Sequence, residues 1–264
     1  MKVTVFARTD VGRARPDNED AFLVADLTDP YALRQSVLLE RKVGQCGVLL
    51  VVADGMGGMA AGEVASGMAT DTIYSHLTEP SRQKATDPRL FAERLQEALE
   101  AANGDIHGYA LAHPELRGMG TTATAAAFLG DSVYVAHVGD SRAYLVRDQR
   151  IRQLTRDHSL MQELVGTSEL AATATAQSSH RHVILQALGP ATRVSVDMVR
   201  QRVQREDVLV LCSDGLSGAV SSSEIAGVVS AEAEVSTACD RLVALANERG
   251  GPDNITIILA RVAR

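Results

Sequence analysis

The chain predicts an α+β layered fold, with two sheets stacked between layers of helix. Three observations carry that expectation. Strand-like patterns come in runs instead of alternating singly with helices, which argues against repeated βα units. Helical patterns come in pairs, at 61–77 with 90–111 and at 222–229 with 234–248. The stretch Val48 to Gly58, VLLVVADGMGG, opens on six unbroken apolar residues, as a strand covered on both faces does.

In chain order, Val3 to Ala7 reads as a first strand and Ala21 to Asp26 as a second, with the polar, turn-rich TDVGRARPDNED between them. Residues 27–46 read as a connecting loop or short helical excursion. The buried strand from Val48 follows, then a helix over Ala61 to Leu77 whose small residues suit close packing, a polar break at Pro80 to Pro88, and a long helix over Leu90 to Leu111. The period then falls to two: Thr121 to Leu129 and Val133 to Val138 read as neighbours, as do Ala143 to Val146 and Ile151 to Leu154. Arg156 to Leu164 reads as a short helix, and Val165 to His180 as a mobile surface segment. Val194 to Val203, Val208 to Cys212 and Ile255 to Val262 complete the strands.

Composition narrows the function. With 264 residues, 45% apolar and 22% charged, the chain is of ordinary globular make-up, and no repeat or linker divides it, so 1–264 is expected to be a single domain. A net charge of -7 with scattered Lys and Arg speaks against a nucleic-acid surface. Cys46, Cys212 and Cys239 lack paired spacing, which fits a reducing compartment. No stretch reads as a signal peptide or a membrane span, so a soluble, cytoplasmic protein is expected.

The chemistry lies in where the acids fall. Asp54 ends the apolar run and is followed by Gly55; Asp214 follows VLVLCS and precedes Gly215; Asp253 and Asn254 precede ITIILA; Asp140 follows YVAHVG; Glu19 and Asp20 precede AFLVA. One such acid is an ordinary turn residue, but five places together imply a counter-charge. If the ends converge they make an oxygen-only site, which selects Mg²⁺ or Mn²⁺ over zinc. Two ions about 4 Å apart that activate water point to phosphate ester hydrolysis. Arg15, just upstream of Glu19 and Asp20, has the fork geometry a phosphoryl group needs.

TDVGRARPDNED, VADGMGG, GTTATAA, VAHVGDSRAY, TRDHS, LCSDGLSG and GPDNIT, in this order, resemble the metal-dependent serine/threonine protein phosphatases of type 2C in their bacterial form, from Thr9 to Thr256. The resemblance implies a four-layer αββα sandwich, two antiparallel sheets flanked by helix pairs, and hydrolysis of phosphoserine and phosphothreonine on proteins. It implies two Mn²⁺ or Mg²⁺ ions, with Asp54 bridging, the Gly55 carbonyl on one ion, and Asp214 and Asp253 on the other. Glu19 and Asp20 match the acidic pair of the first motif; adjacent extended residues face opposite ways, so Glu19 is expected to approach a metal and Asp20 to act through water. Arg15 matches the phosphate-binding arginine. Asp140 matches an acid that, with the Asp214 equivalent, holds a third metal in bacterial relatives, and Asn254 is expected to orient a ligand or water. Residues 160–185 match the flap beside the active site.

Two departures stand out. Met56 occupies the place of a histidine proposed as general acid in animal relatives; it cannot donate a proton, so protonation of the leaving group must come from elsewhere. His158, in TRDHS, is a candidate substitute, set against a structural reading as a turn or cap residue. Gly218 stands where some relatives carry a further acid. Expected partners are phosphorylated proteins, targets of a serine/threonine kinase, with the chain a monomer. The alternative is a catalytically weak, metal-binding phosphopeptide-recognition module, against which Asp54, Asp214 and Asp253 all argue.

Overall fold

A computed structural model of the chain describes residues 1–28, 31–36, 38–79, 87–160, 162–163 and 183–263. Numbered in chain order, β1 (Lys2–Asp10), β4 (Leu39–Lys42), β9 (Arg142–Arg147), β10 (Arg150–Gln153), β12 (Val208–Cys212) and β13 (Ile255–Ala263) form one sheet, in the order β10-β9-β12-β13-β1-β4. The second contains β2 (Asp20–Asp26), β3 (Tyr31–Leu33), β5 (Val48–Met56), β7 (Ala123–Leu129), β8 (Ser132–Val138) and β11 (Asp197–Arg202), in the order β11-β8-β7-β5-β2-β3. The short β6 (Gly120–Thr121) pairs with the far end of β5. These ladders are antiparallel throughout.

Helices α1 (Met59–Thr78) and α2 (Pro88–Ala112) cover the second sheet, while α4 (Ser222–Ala231) and α5 (Val235–Glu248) cover the first; α3 (Asp214–Ser217) is a single turn after β12. The αββα sandwich is therefore present. Its cause is visible in β5, which is buried on both faces. Leu49, Val51 and Ala53 point to the helices, where Ala61, Ala65, Ala69, Ile73 and Leu77 recur every fourth residue along α1. Val48, Leu50 and Val52 point the other way, into a core shared with Val5, Leu209, Leu211 and Ile258 of the first sheet.

Three expectations need correction. Residues 27–46 hold two strands, β3 on β2 and β4 on β1; both are short edge strands of mixed polarity, too brief to show a period. Of the short helix expected over Arg156 to Leu164, Leu160, Gln162 and Glu163 are helical among the described residues, but 156–159 are not; Asp157 and His158 are drawn inward to Arg142 and Gly139, and Ser159 bridges Ile184. β5 does not stop at Asp54 but runs on to Met56, because Gly55 and Met56 pair with Thr121 and Gly120. The mobile segment expected at 165–180 and most of the flap at 160–185 lie outside the described residues.

Candidate metal centre

The acids meet because the central strands of both sheets end at one rim. β2 and β5 set Asp20 directly opposite Asp54. In the other sheet β12 leaves at Ser213, whose N–H donates to the Thr256 carbonyl at 3.0 Å, so Asp214 emerges beside Asp253 and Asn254 at the start of β13. Gly215 permits that approach: a Cβ there would lie 2.0 Å from the Asn254 carbonyl oxygen. Between the two sheet ends lies a cleft of about 760 Å³ lined by Arg15, Glu19, Asp54, Gly55, Asp214, Asp253 and Asn254.

Glu19 and Asp20 do face opposite ways. Glu19 lines the cleft, whereas Asp20 lies below it and its Oδ2 accepts 2.8 Å from the Ser213 hydroxyl, which itself accepts the Thr256 N–H at 2.9 Å. Asn254 holds the approach to this pair: its Oδ1 accepts the Glu19 N–H at 2.8 Å, and its Nδ2 donates to the Val11 and Asp17 carbonyls at 2.9 Å each. Arg15 donates from Nη2 to Asp253 Oδ2 at 2.8 Å. Asp140, just past β8, is buried and is not among the residues lining the cleft.

The acids also bear on one another electrostatically. Burial, and then the charges of Asp20, Asp214, Asp140 and Asp253, hold the Asp54 carboxyl well above the usual carboxylate range. Burial chiefly, with Asp214 and Asp253, pushes Asp20 up in spite of its hydrogen bonds. Burial, then Asp214 and Asp157, pushes Asp140 up to about 7. Glu19 is raised by burial, against the pull of Arg15. A group of partly buried acids that repel one another in this way calls for protons or cations among them.

The donor set fits a hard divalent ion. It is made of oxygens, carboxylates with the Gly55 carbonyl, and Asp20 Oδ1 and Asp140 Oδ1 are buried with no hydrogen-bond partner. Among the described residues no three His, Cys, Asp or Glu side chains stand close enough, as placed, to enclose an ion; Asp253 is turned to Arg15 and Asp20 to Ser213.

Met56 lines the cleft where a proton donor was sought, and no histidine lines it among the described residues. His158 lies outside it with both ring nitrogens engaged, Nδ1 by the Gly139 N–H at 3.2 Å and Nε2 by Asp197 at 3.2 Å, which supports its structural reading over an acid role. Sequence reasoning passed over Ser213, although its place immediately before the Asp-Gly pair in LCSDG is a signal that could have found it. It also passed over Thr122, Thr124 and Ser141, whose hydroxyls tie β7 to the Asp140 turn: Thr122 Oγ1 lies 2.7 Å from Ser141 Oγ, and Thr124 Oγ1 donates to the Ser141 carbonyl at 2.9 Å.

Known proteins are similar to this chain in sequence and fold. The Listeria monocytogenes serine/threonine phosphatase Stp is 37% identical over 256 residues, covering 96% of this chain and 93% of that protein. The solved Streptococcus agalactiae serine/threonine phosphatase superposes with a TM-score of 0.86 at 33% identity, over 98% of this chain and 99% of that one. The catalytic domain of the serine/threonine protein phosphatase PstP, solved in complex with two manganese ions, superposes at 0.80 with 34% identity over the whole of both chains. The family profile described as protein phosphatase 2C matches residues 36–257. Strand ends that bring acids together at one rim, in a fold superposable on these enzymes end to end, mean that this chain belongs to the protein phosphatase 2C family.

Proposed function

We propose that residues 1–264 form one catalytic domain that hydrolyses phosphoserine and phosphothreonine on proteins at a centre of two Mn²⁺ or Mg²⁺ ions. The observation that carries this reading is geometric: Asp54 from one sheet and Asp214 and Asp253 from the other line a single cleft. Asp54 would bridge the ions, the Gly55 carbonyl and Glu19 would serve one, and Asp214 and Asp253 the other. Bound there, such ions activate water and offset charge on the phosphoryl group.

The chain's own residues do the rest. Asp20, fixed by Ser213, holds its second oxygen ready beneath Asp54 to orient water. Asn254 fixes the backbone at Glu19 and, through its own N–H to Asp253 Oδ1 at 2.9 Å, the neighbouring carboxylate. Arg15 presents a half-exposed guanidinium at the mouth, positioned to grip a phosphate dianion once Asp253 turns inward. Asp140, with Asp214, is proposed to hold a third ion. Phosphorylated targets of a serine/threonine kinase, in the cytoplasm, are the proposed substrates, and the chain is proposed to act as a monomer. No helix among the described residues is long and apolar enough to cross a membrane.

Turnover of an aryl phosphate, and of phosphothreonine, phosphoserine and phosphotyrosine peptides, tests this with and without Mn²⁺. Hydrolysis that needs Mn²⁺, stops in a chelator and is lost in folded Asp214→Ala is the expected result. Phosphopeptide binding without turnover by the loaded protein would replace the enzyme reading with that of a recognition module.

A further inference from the structure

Asp140 sits at the tip of a turn that is held from outside the cleft. Its predecessor Gly139, at φ 109°, is gripped at both of its polar backbone atoms. The Gly139 N–H donates to His158 Nδ1 at 3.2 Å. The Gly139 carbonyl accepts from the His158 backbone N–H at 2.7 Å and from His137 Nε2 at 3.0 Å. On the other side of Asp140, Arg142 is held by Asp157, the residue before His158, through Nε at 3.0 Å and Nη2 at 2.7 Å.

His158 is itself aimed. Its Nε2 lies 3.2 Å from Asp197 Oδ2 at the start of β11, and with Nδ1 accepting from Gly139, Nε2 is the nitrogen that carries the proton. Its ring is nearly buried and stands against that of His137, with centroids 5.1 Å apart. Its carbonyl accepts the Leu185 N–H at 2.8 Å, next to Ile184, which lines the cleft. Asp140 Oδ1 is buried without a partner, so the direction of this carboxylate depends on the backbone that carries it. His158 holds that backbone at both polar atoms of Gly139, beside His137 at the Gly139 carbonyl and the Thr122 and Thr124 hydroxyls at Ser141.

We infer that the His158 imidazole, oriented by Asp197, is a positioning residue that fixes the Gly139–Asp140 turn and thereby the direction in which the Asp140 carboxylate meets a divalent ion. The inference rests on the proposed reading of Asp140 as a ligand. It assigns His158 no contact with substrate and no proton transfer to it. Groups that act on an ion through its ligands in this way are worth about 10- to 100-fold in metal affinity or activity.

The test compares wild type, His158→Leu, His158→Asn and Asp197→Ala by calorimetric titration with Mn²⁺ and by the amide resonance of Gly139 in the metal-free protein. Asn can place an oxygen where Nδ1 stands, whereas Leu cannot accept a hydrogen bond. His158→Leu is expected to shift the Gly139 amide resonance and to weaken the Asp140-dependent part of the Mn²⁺ isotherm by about 10- to 100-fold, leaving the tighter ions in place. His158→Asn should recover most of both. A purely packing role for the ring would lower the melting temperature of both variants and move neither reading selectively. Folded His158→Leu with an unchanged isotherm overturns the inference alone, whereas a wild-type chain that takes up no Mn²⁺ overturns the metal reading and this inference together. Should His158→Leu fail to fold, Asp197→Ala, at a half-exposed position, removes the acceptor of the His158 Nε2–H and decides the matter: the same step weakened several-fold upholds the inference, and an unchanged step overturns it.

Discussion

Removing the Asp140 charge should stabilise this protein when metal is absent, and the size of the effect follows from its surroundings. Burial, Asp214 and Asp157 raise the carboxyl from 3.8 to about 7. A raised folded-state value means that the fold keeps the proton longer than the unfolded chain does. The favourable contribution is complete below about pH 4 and is lost as pH rises toward 7, at about 1.36 kcal/mol for each pH unit between the two values. The metal-free fold thus carries a burden of roughly 4 kcal/mol from this one group above neutrality. Asp140→Asn lifts it, less the roughly 1–3 kcal/mol that an unpaired buried amide costs, so a net gain of about 1–3 kcal/mol is expected near pH 8. Urea unfolding in a chelator, near pH 4 and near pH 8, reads the difference. The gap should open only at the higher pH, and saturating Mn²⁺ should reverse it, because the wild type gains more from a bound ion. A variant less stable than wild type near pH 8 in chelator, or a gap indifferent to pH, would refute the reasoning.

Other perturbations give sharp expectations. Burial, then the charge of His158, depresses the His137 imidazole from 6.5 to about 4; the stability tied to its neutral form is present above about 6.5 and lost as pH falls toward 4, by roughly 3 kcal/mol, so His137→Gln should flatten the acid limb of a urea-midpoint series. Arg147→Ala removes the guanidinium that binds Asp207, 1% exposed, at 2.6 and 2.7 Å and leaves that carboxylate the Gln204 N–H at 2.7 Å, without a counter-charge among the described residues; a loss of about 3–5 kcal/mol by urea titration is expected, with Mn²⁺ binding unmoved. Gly215→Ala pushes a methyl group to 2.0 Å from the Asn254 carbonyl; parting Asp214 from Asp253 should cost about 1–3 kcal/mol and reduce Mn²⁺-dependent turnover more than tenfold, and a variant with wild-type turnover would show that the spacing of the two acids is not critical.

The parts legible in the sequence were those where one force dominates. The two-faced burial of β5 wrote itself as an unbroken apolar run, and α1, α2, α4 and α5 as apolar stripes, so the layers could be read directly. The acids at the strand ends were legible because five such places have no common explanation as turns. Residues held by long-range polar contacts were not. Asp157 and His158 look helical locally, yet Arg142, Gly139 and Asp197 pull them into an extended path, and those partners lie from 15 to 39 positions away along the chain. Ser213 was missed for the same reason, since its partner Asp20 lies 193 positions upstream. β3 and β4 were missed because strands of three and four residues at a sheet edge need no alternation to hold them.

The acids are divided between the halves of the molecule: Glu19, Asp20 and Asp54 belong to one sheet, while Asp214 and Asp253 flank strands of the other. Any cation that gathers them therefore acts as a rivet through the seam of the sandwich. On the proposed reading the ion that serves the reaction also draws the two sheets together at this rim, while the apolar core they share holds the rest of the seam.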